Sequence, residues 1–224
     1  MAQEQSGVFP LALILSYVLV PYVLRCEGPI VHERAEAALA LAAEHEVAQC
    51  VAQDMIFQGW ALAEQGHTPE GVARMRQGLA AWQETGAELN QCFFLALLTT
   101  GYQRLGQMDQ GLHLLNEALV LVDATGERWC EAKLHRLKGE LLLRLAADPA
   151  PEAEACFQHA LTIARSQHAK SWELRAAVSL SQLWQHQSRR DAAHGLLAEV
   201  YGWFTEGFDT ADLQEAKALL QELS

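Results

Sequence analysis

Ala38-Leu39-Ala40, Gly78-Leu79-Ala80, Ala118-Leu119-Val120 and Ala160-Leu161-Thr162 are four versions of one phrase, spaced 40, 40 and 42 residues apart. A second marker keeps the same register: Gly59, Thr99, Gly139 and Ser181, again 40, 40 and 42 apart. Two helix-length stretches lie between successive markers. A fixed period in this range signals a solenoid of stacked helical hairpins, in which each unit buries its apolar face only against its neighbours.

Working outward from the markers, each unit reads as helix A, a tight turn, helix B and a longer connector. The second unit has helix A over 49–65, a stop at Gly66, and helix B over 68–85 opened by Thr68-Pro69-Glu70, with Thr68 as cap and Pro69 in the first turn. The third has helices over 89–105 and 109–125, stopped by Gly106 and Gly126. The fourth has helices over 127–146 and 152–167, with Asp148-Pro149-Ala150-Pro151 as a longer turn that accounts for the 42-residue step. The fifth has helices over 171–187 and 190–206, stopped by Gly207, after which Asp209-Thr210 caps a last helix to Leu223. The repeats fall at about 8–46, 47–86, 87–126, 127–168 and 169–206, with a capping helix in 207–224. Each helix B carries small, large and small residues on one face: Gly71, Met75, Gly78; Gly111, Leu115, Ala118; Ala153, Phe157, Ala160. The matching helix A position holds a large hydrophobe each time: Leu62, Tyr102, Leu142, Trp184.

The chain has 224 residues, is 50% hydrophobic, and has only 6 prolines. This composition favours an all-α protein. The formal charge of -12 argues against a general affinity for nucleic acid or anionic membranes. The five cysteines, Cys26, Cys50, Cys92, Cys130 and Cys156, are scattered with no Cys-x-x-Cys, which reads as reduced core thiols and a cytoplasmic setting. Val8 to Leu24 holds 17 residues without a charge. It has no basic residues before it, as a signal peptide needs, and Pro10 and Pro21 interrupt it. Its position marks helix A of the first repeat, with helix B over 31–43; a membrane segment is the competing reading.

The small–large pattern with glycine at the turn resembles the tetratricopeptide repeat, whose standard unit is about 34 residues. The resemblance covers roughly Pro10 to Glu206 and implies extended helices. A narrower resemblance rests on Thr125-Gly126-Glu127-Arg128-Trp129 with Glu131, and on Arg136-Leu137-Lys138-Gly139-Glu140-Leu141-Leu142-Leu143. Glu152-Ala153-Glu154-Ala155-Cys156-Phe157 and Tyr201-Gly202-Trp203-Phe204-Thr205-Glu206-Gly207-Phe208-Asp209-Thr210 add to it. Together these are similar to the C-terminal repeats of large bacterial AAA-type signalling ATPases, which carry a class III nucleotide cyclase or DNA-binding domain upstream. No Gly-x4-Gly-Lys-Ser/Thr phosphate loop occurs, so neither ATPase nor cyclase activity carries over. The chain looks like a C-terminal fragment of such a protein, or a stand-alone derivative.

No catalytic constellation emerges. Nine histidines include no His-Glu-x-x-His. Cys156 and His159 share a helix face and Cys130 lies near His135, but a metal needs three or four converging ligands. Glu152 and Glu154 sit at a helix start, where they complement the dipole. No enzyme, metal or cofactor is expected. The six tryptophans read mostly as packing residues, with Trp60 as an exception on the inner face.

Groove positions implied by the tetratricopeptide resemblance can be named. They are Gln53, Ile56, Trp60 and Glu64 in repeat two, and Phe93, Ala96, Thr100, Gln103 and Arg104 in repeat three. Repeat four gives Lys133, Arg136, Glu140 and Arg144; repeat five gives Arg175, Val178, Gln182, Gln185 and His186. Five of these are basic and two acidic, a local excess of +3 in a chain of -12. Either the long basic side chains simply solvate the wall, or the groove takes an anionic partner such as an acidic peptide.

The sequence therefore predicts a right-handed all-α superhelix of about five hairpins. Leu213, Ala216, Leu219, Leu220 and Leu223 form the cap's inward stripe, with Trp203, Phe204 and Phe208 beneath it. The apolar first helix (Leu11, Leu13, Ile14, Leu15, Val18, Leu19) predicts dimerisation or docking to a preceding repeat. The expected function is a non-enzymatic protein- or peptide-binding scaffold of a bacterial signalling system, with no nucleic acid or membrane partner. A small-molecule effector-sensing domain is the alternative.

Overall fold

The computed structural model describes the backbone of residues 2–145 and 150–224, and side chains from Phe9 onward within those spans. Among the described residues there are eleven helices and no strand. They are α1 (Ala2–Leu24), α2 (Gly28–Glu44), α3 (Ala48–Glu64), α4 (Thr68–Glu84), α5 (Gln91–Arg104), α6 (Met108–Thr125), α7 (Glu131–Leu145), α8 (Ala150–Ser166), α9 (Lys170–His186), α10 (Arg190–Tyr201) and α11 (Ala211–Leu223). The chain divides into two compact units, 1–107 and 108–224, each described by itself. The division falls inside the third predicted repeat.

The helix ends explain the period. Where α3 stops, Gly66 takes φ 92°, its N–H bonds the Ala63 carbonyl, and the His67 N–H bonds the Leu62 carbonyl at 2.9 Å. This is a Schellman closure, which satisfies the last orphan carbonyls of the helix. The His67 carbonyl then accepts the Gly71 N–H as the first bond of α4. One residue thus ends one helix and opens the next, and a three-residue connector suffices. The same closure recurs at the ends of α1, α2, α5, α8 and α9. Left-handed residues accordingly stand at 26, 46, 66, 86, 106 and 126, 20 apart, and again at 168, 188 and 207.

Several expectations change here. The connector after helix B is no longer than the hairpin turn after α2 and α8, since 45–47 and 167–169 are three residues each; it is longer after α4 and α6. Helix α7 begins at Glu131 rather than 127, because Gly126 at φ 74° and a turn through Trp129 and Cys130 precede it. Asp148 and Pro149 of the predicted turn lie outside the described residues, while Ala150 and Pro151 are already helical. Thr68 is the first residue of α4 and not its cap. Thr210 is the cap of α11, but its hydroxyl donates back to the Gly207 carbonyl at 2.7 Å.

Five left-handed residues are not glycine: Cys26, Glu46, Asn90, His168 and Ser188. A side chain there costs about 1–2 kcal/mol. Replacing Ser188, φ 62°, with glycine should therefore stabilise the protein by about 1 kcal/mol. Urea unfolding of Ser188→Gly against the parent measures this, and an unchanged or lower midpoint would refute it.

Packing assigns the helices two roles. Helices α2, α4, α6 and α8 bury one stripe, such as Gly111, Leu115, Ala118 and Val122 in α6. Helices α3, α5 and α9 are buried over most of their surface; in α5 every residue from Cys92 to Thr99 is buried. The first unit closes around edge-to-face aromatics, with Trp82 and Phe94 5.0 Å apart and Phe57 and Phe94 6.0 Å apart. In the second unit Phe157 fills the notch left by Gly139, and Leu213, Ala216, Leu219 and Leu223 bury α11 as expected. Trp203 and Phe208 depart from expectation: both are exposed, and only Phe204 of the three packs against the core under the cap. The turn 202–209 leaves them outside, with Trp203 edge-on to Phe204 and near Lys170.

None of the five cysteines is in a disulfide; Cys50, Cys92 and Cys130 are buried and Cys26 is exposed. No helix among the described residues is long and apolar enough to cross a membrane.

Candidate functional site

The face shared by α7, α9 and α11 in the second unit carries the richest polar arrangement. Lys133, Arg136, Glu140 and Arg144 step by three or four residues along α7 and so share one helix face. Trp172, Arg175, Ser179, Gln182 and His186 do the same on α9. Two cations stand over the Trp172 ring, with Lys133 Nζ 5.8 Å and Arg175 Cζ 5.1 Å from its centroid, and Lys133 is itself buried, at 7% exposure. Both distances fit cation–π attraction. Arg175 donates from Nε and Nη2 to Asp212 Oδ2 of α11, at 2.8 and 2.7 Å. Arg136 donates to Glu140, whose Oε1 also accepts from Ser179 Oγ at 3.2 Å. Gln182 donates to Glu215 of α11 at 3.2 Å. Beyond it, Gln182, Gln185, His186, Glu215, Leu219 and Glu222 line an open recess of about 310 Å³.

This row and the recess contain the positions predicted on α7 and α9 except Val178, which is buried in the core of the second unit. They also contain residues the sequence does not single out: Trp172, Ser179, Asp212 and Glu215. These carboxylates alter the charge balance. Four cations on this face (Lys133, Arg136, Arg144, Arg175) meet three carboxylates (Glu140, Asp212, Glu215), and Glu222 stands at the recess. The positive excess of +3 expected from the α7 and α9 positions therefore falls to +1, and Arg136 and Arg175 are each paired with a carboxylate.

The first unit places its predicted residues differently. Gln53, Trp60 and Phe93 are buried, at 1%, 3% and 1% exposure, and belong to the core. The predicted positions Ile56 and Ala96 are buried with them, because these helices are covered on that side too. Thr100 and Gln103 are half-buried, and Thr100 returns its hydroxyl to the Leu97 carbonyl. Arg104 is exposed and pairs with Glu64 at 2.6 Å.

Two titratable clusters lie outside this face. In the first unit, Ser16 Oγ of α1 donates to Asp54 Oδ2 of α3 at 2.9 Å. Asp54 is fully buried, and burial raises its pKa to about 7 against the opposing effect of the Ser16 bond. Burial likewise pushes the neighbouring Cys50 thiol up. Asp54 Oδ1 and Gln53 Nε2 have no hydrogen-bond partner among the described residues. In the second unit, His135 and His159 meet edge-to-face at 4.3 Å, and burial first, then His159 and Lys138, lower the His135 pKa to about 4. Among the described residues no group of three or more His, Cys, Asp or Glu stands where it could hold a metal.

The helix pairs, their single buried stripes and the 20-residue spacing of their turns define a tetratricopeptide-like helical-repeat fold. Solved structures agree. The chain matches a Signal Transduction ATPase with Numerous Domains (STAND) protein with a tetratricopeptide repeat sensor from Pyrococcus horikoshii, with TM-score 0.67, 14% identity, 97% of this chain and 33% of that one. It matches BtubC (BKLC) from P. vanneervenii with TM-score 0.64, 16% identity, 91% of this chain and 89% of that one. In sequence, it is 30% identical over 143 residues to an uncharacterized protein of Rhizobium meliloti (strain 1021), a stretch covering 63% of this chain and 14% of that protein. The chain thus spans a small part of the curated relative's length. No protein-family model matches the sequence.

Proposed function

We propose that the chain is a non-enzymatic docking module whose α7–α9–α11 face receives an acidic segment of a protein or peptide. The observation that carries this reading is the pair of cations, Lys133 and Arg175, over the Trp172 ring, with Arg136 on the same face of α7 as Lys133. Long cationic side chains lose much of their freedom when they bind, and these are already ordered by the indole and by neighbouring carboxylates. Glu140 and Asp212 illustrate the mode of recognition: each accepts from a guanidinium of this face, and a partner's carboxylate competes for the same donors. Ser179, Gln182 and Gln185 continue the row with groups that can bond a peptide backbone. A module of this kind fits a larger signalling protein, in keeping with the partial coverage of the Rhizobium relative and with the sensor role of the repeats in the STAND protein. The repeat boundaries at 8–46, 47–86, 87–126, 127–168 and 169–206 belong to this reading, as does a cytoplasmic, bacterial setting.

A second reading rests on the recess at Gln182, Gln185 and His186. Its volume of about 310 Å³ is at the lower end for small-ligand sites, and its polar rim suits a small effector.

Arg136→Ala should weaken binding of a labelled acidic peptide about tenfold, since a charge-assisted bond contributes roughly 1.4 kcal/mol or more. Fluorescence anisotropy at two salt concentrations measures it. Binding should also fall with salt. Equal affinity of the variant, or binding of neutral peptides indifferent to salt, would remove the proposal.

A further inference from the structure

Helix α11 lays three carboxylates along the side it turns to α9. Asp212 Oδ2 accepts from both Nε and Nη2 of Arg175, at 2.8 and 2.7 Å, and Glu215 accepts from Gln182 at 3.2 Å. Glu222 lines the recess with Gln185 and His186. Steps of three and seven residues put all three on one helix face. The helix itself is seated by other groups. Leu213, Ala216, Leu219 and Leu223 are buried, and the Arg190 guanidinium donates to the Glu222 carbonyl. The acidic row also differs from the ion pair that fastens α8 to α9. There Glu173 is 3% exposed and takes both Arg165 and Lys170, whereas the Asp212 side chain is 26% exposed. Water and a partner can reach Asp212.

We propose that the α11 carboxylates, Asp212 above all, are a built-in competitor: an autoinhibitory contact that sets how tightly the α7–α9–α11 face holds an acidic segment. The inference rests on the docking function proposed above. An incoming carboxylate needs the Arg175 donors that Asp212 holds, and a tethered group competes at an effective concentration on the order of millimolar or more. A partner's single Asp or Glu replaces one contact with an equal one and gains little. A segment that also engages Lys133, Arg136 and Arg144 gains more than the Asp212 contact is worth. The competitor thus favours clustered acidic residues over isolated ones. Release is easy for α11. Asp212 lies in its first turn, where the positive end of the helix dipole favours a carboxylate without Arg175. The side chain can turn to water while the apolar stripe stays in place. Charge states the same result: with Asp212 and Glu215 the four cations of the face exceed its carboxylates by one, and without them by three.

Fluorescence anisotropy with a labelled oligo-glutamate peptide is the test, on the parent, Asp212→Asn and Asp212→Asn/Glu215→Gln. Asp212→Asn should bind about fivefold tighter than the parent, the upper end for a partly exposed ion pair, and the double variant tighter still. The gain should vanish in an Arg175→Gln background, because the competition is for that guanidinium. Melting temperatures separate a merely structural role: a pair that only fastens α11 would lower the melting temperature when broken and leave affinity unchanged. Equal or weaker binding by Asp212→Asn, where the parent binds the peptide, would overturn the competitor and leave the docking function standing. A gain that persists in the Arg175→Gln background would overturn it too. No binding by the parent or by either variant would overturn the docking function, and this inference with it.

Discussion

Gly71→Val should destabilise the first unit by at least about 3 kcal/mol, and Gly71→Ala should destabilise it less but in the same direction. A Cβ on Gly71 would fall against the Gly59 carbonyl oxygen of α3 and 2.7 Å from the Ala63 nitrogen. The clash is reciprocal: a Cβ on Gly59 would lie 2.6 Å from the Gly71 oxygen and 2.7 Å from the Met75 nitrogen. These obstacles are helix backbones, which cannot rotate away as a side chain can. The helices must separate, and they lose dispersion contacts along Ile56, Phe57 and Met75. Alanine in a helix interior is otherwise favoured over glycine by about 1 kcal/mol, so the sign of the change separates packing from propensity. Gly195 supplies the control. It lies within α10 with nothing within 4 Å of its Cβ position, so Gly195→Ala should stabilise by about 0.5–1 kcal/mol. Urea midpoints for the three variants decide the matter. A stabilised Gly71→Ala would mean that α3 and α4 do not approach this closely.

The second large effect is a pH dependence. Asp54 has a pKa of about 7 in the folded chain, against an ordinary value of 3.8. Between those values the folded state holds a proton that the unfolded state has released. The contribution of Asp54 to stability is therefore greatest below about pH 4, falls as pH rises to 7, and levels off above it. Each tenfold difference in proton affinity between the folded and unfolded chain corresponds to about 1.36 kcal/mol, which puts the loss on the order of 4 kcal/mol. Asp54→Asn removes the ionisation and keeps an acceptor for Ser16, at the cost of an amide N–H without a partner in the same pocket. The variant should be about 2 kcal/mol more stable than the parent at pH 8 and close to it or less stable at pH 4. Urea unfolding of both proteins at the two pH values measures the difference. A variant less stable than the parent at pH 8 would show that ionised Asp54 is satisfied where it stands.

Much of the fold is legible in the sequence because its controlling features are local and repeated. Gly66, Gly86, Gly106, Gly126 and Gly207 announce helix ends, and all five adopt positive φ. The small–large–small faces announce close helix crossings, and Gly59, Gly71 and Gly78 realise them. The turns at Cys26, Glu46, His168 and Ser188 have the same conformation without the residue that marks it, so the 20-residue half-period is hidden behind the 40-residue one. Depth is less legible than direction. Trp60 and Phe93 read as groove residues but are buried, since a periodic pattern gives an angle around a helix and not how many neighbours surround it. Contacts across long separations leave no trace in the pattern: Ser16 with Asp54, 38 residues apart, and Arg175 with Asp212, 37 apart. The last of these matters for function, because α11 reads in the sequence as a cap alone, and its acidic side chains meet the cations of α9.

The central claim is that the start of α7 and α9 recognises acidic segments. The most direct measurement is selection of a random peptide library on the parent protein and, in parallel, on Arg136→Glu. The account predicts that the parent enriches peptides with paired or clustered Asp and Glu, and that the variant loses this enrichment while its melting temperature is preserved. Enrichment of basic or purely apolar peptides, or of the same acidic peptides by both proteins, would contradict it.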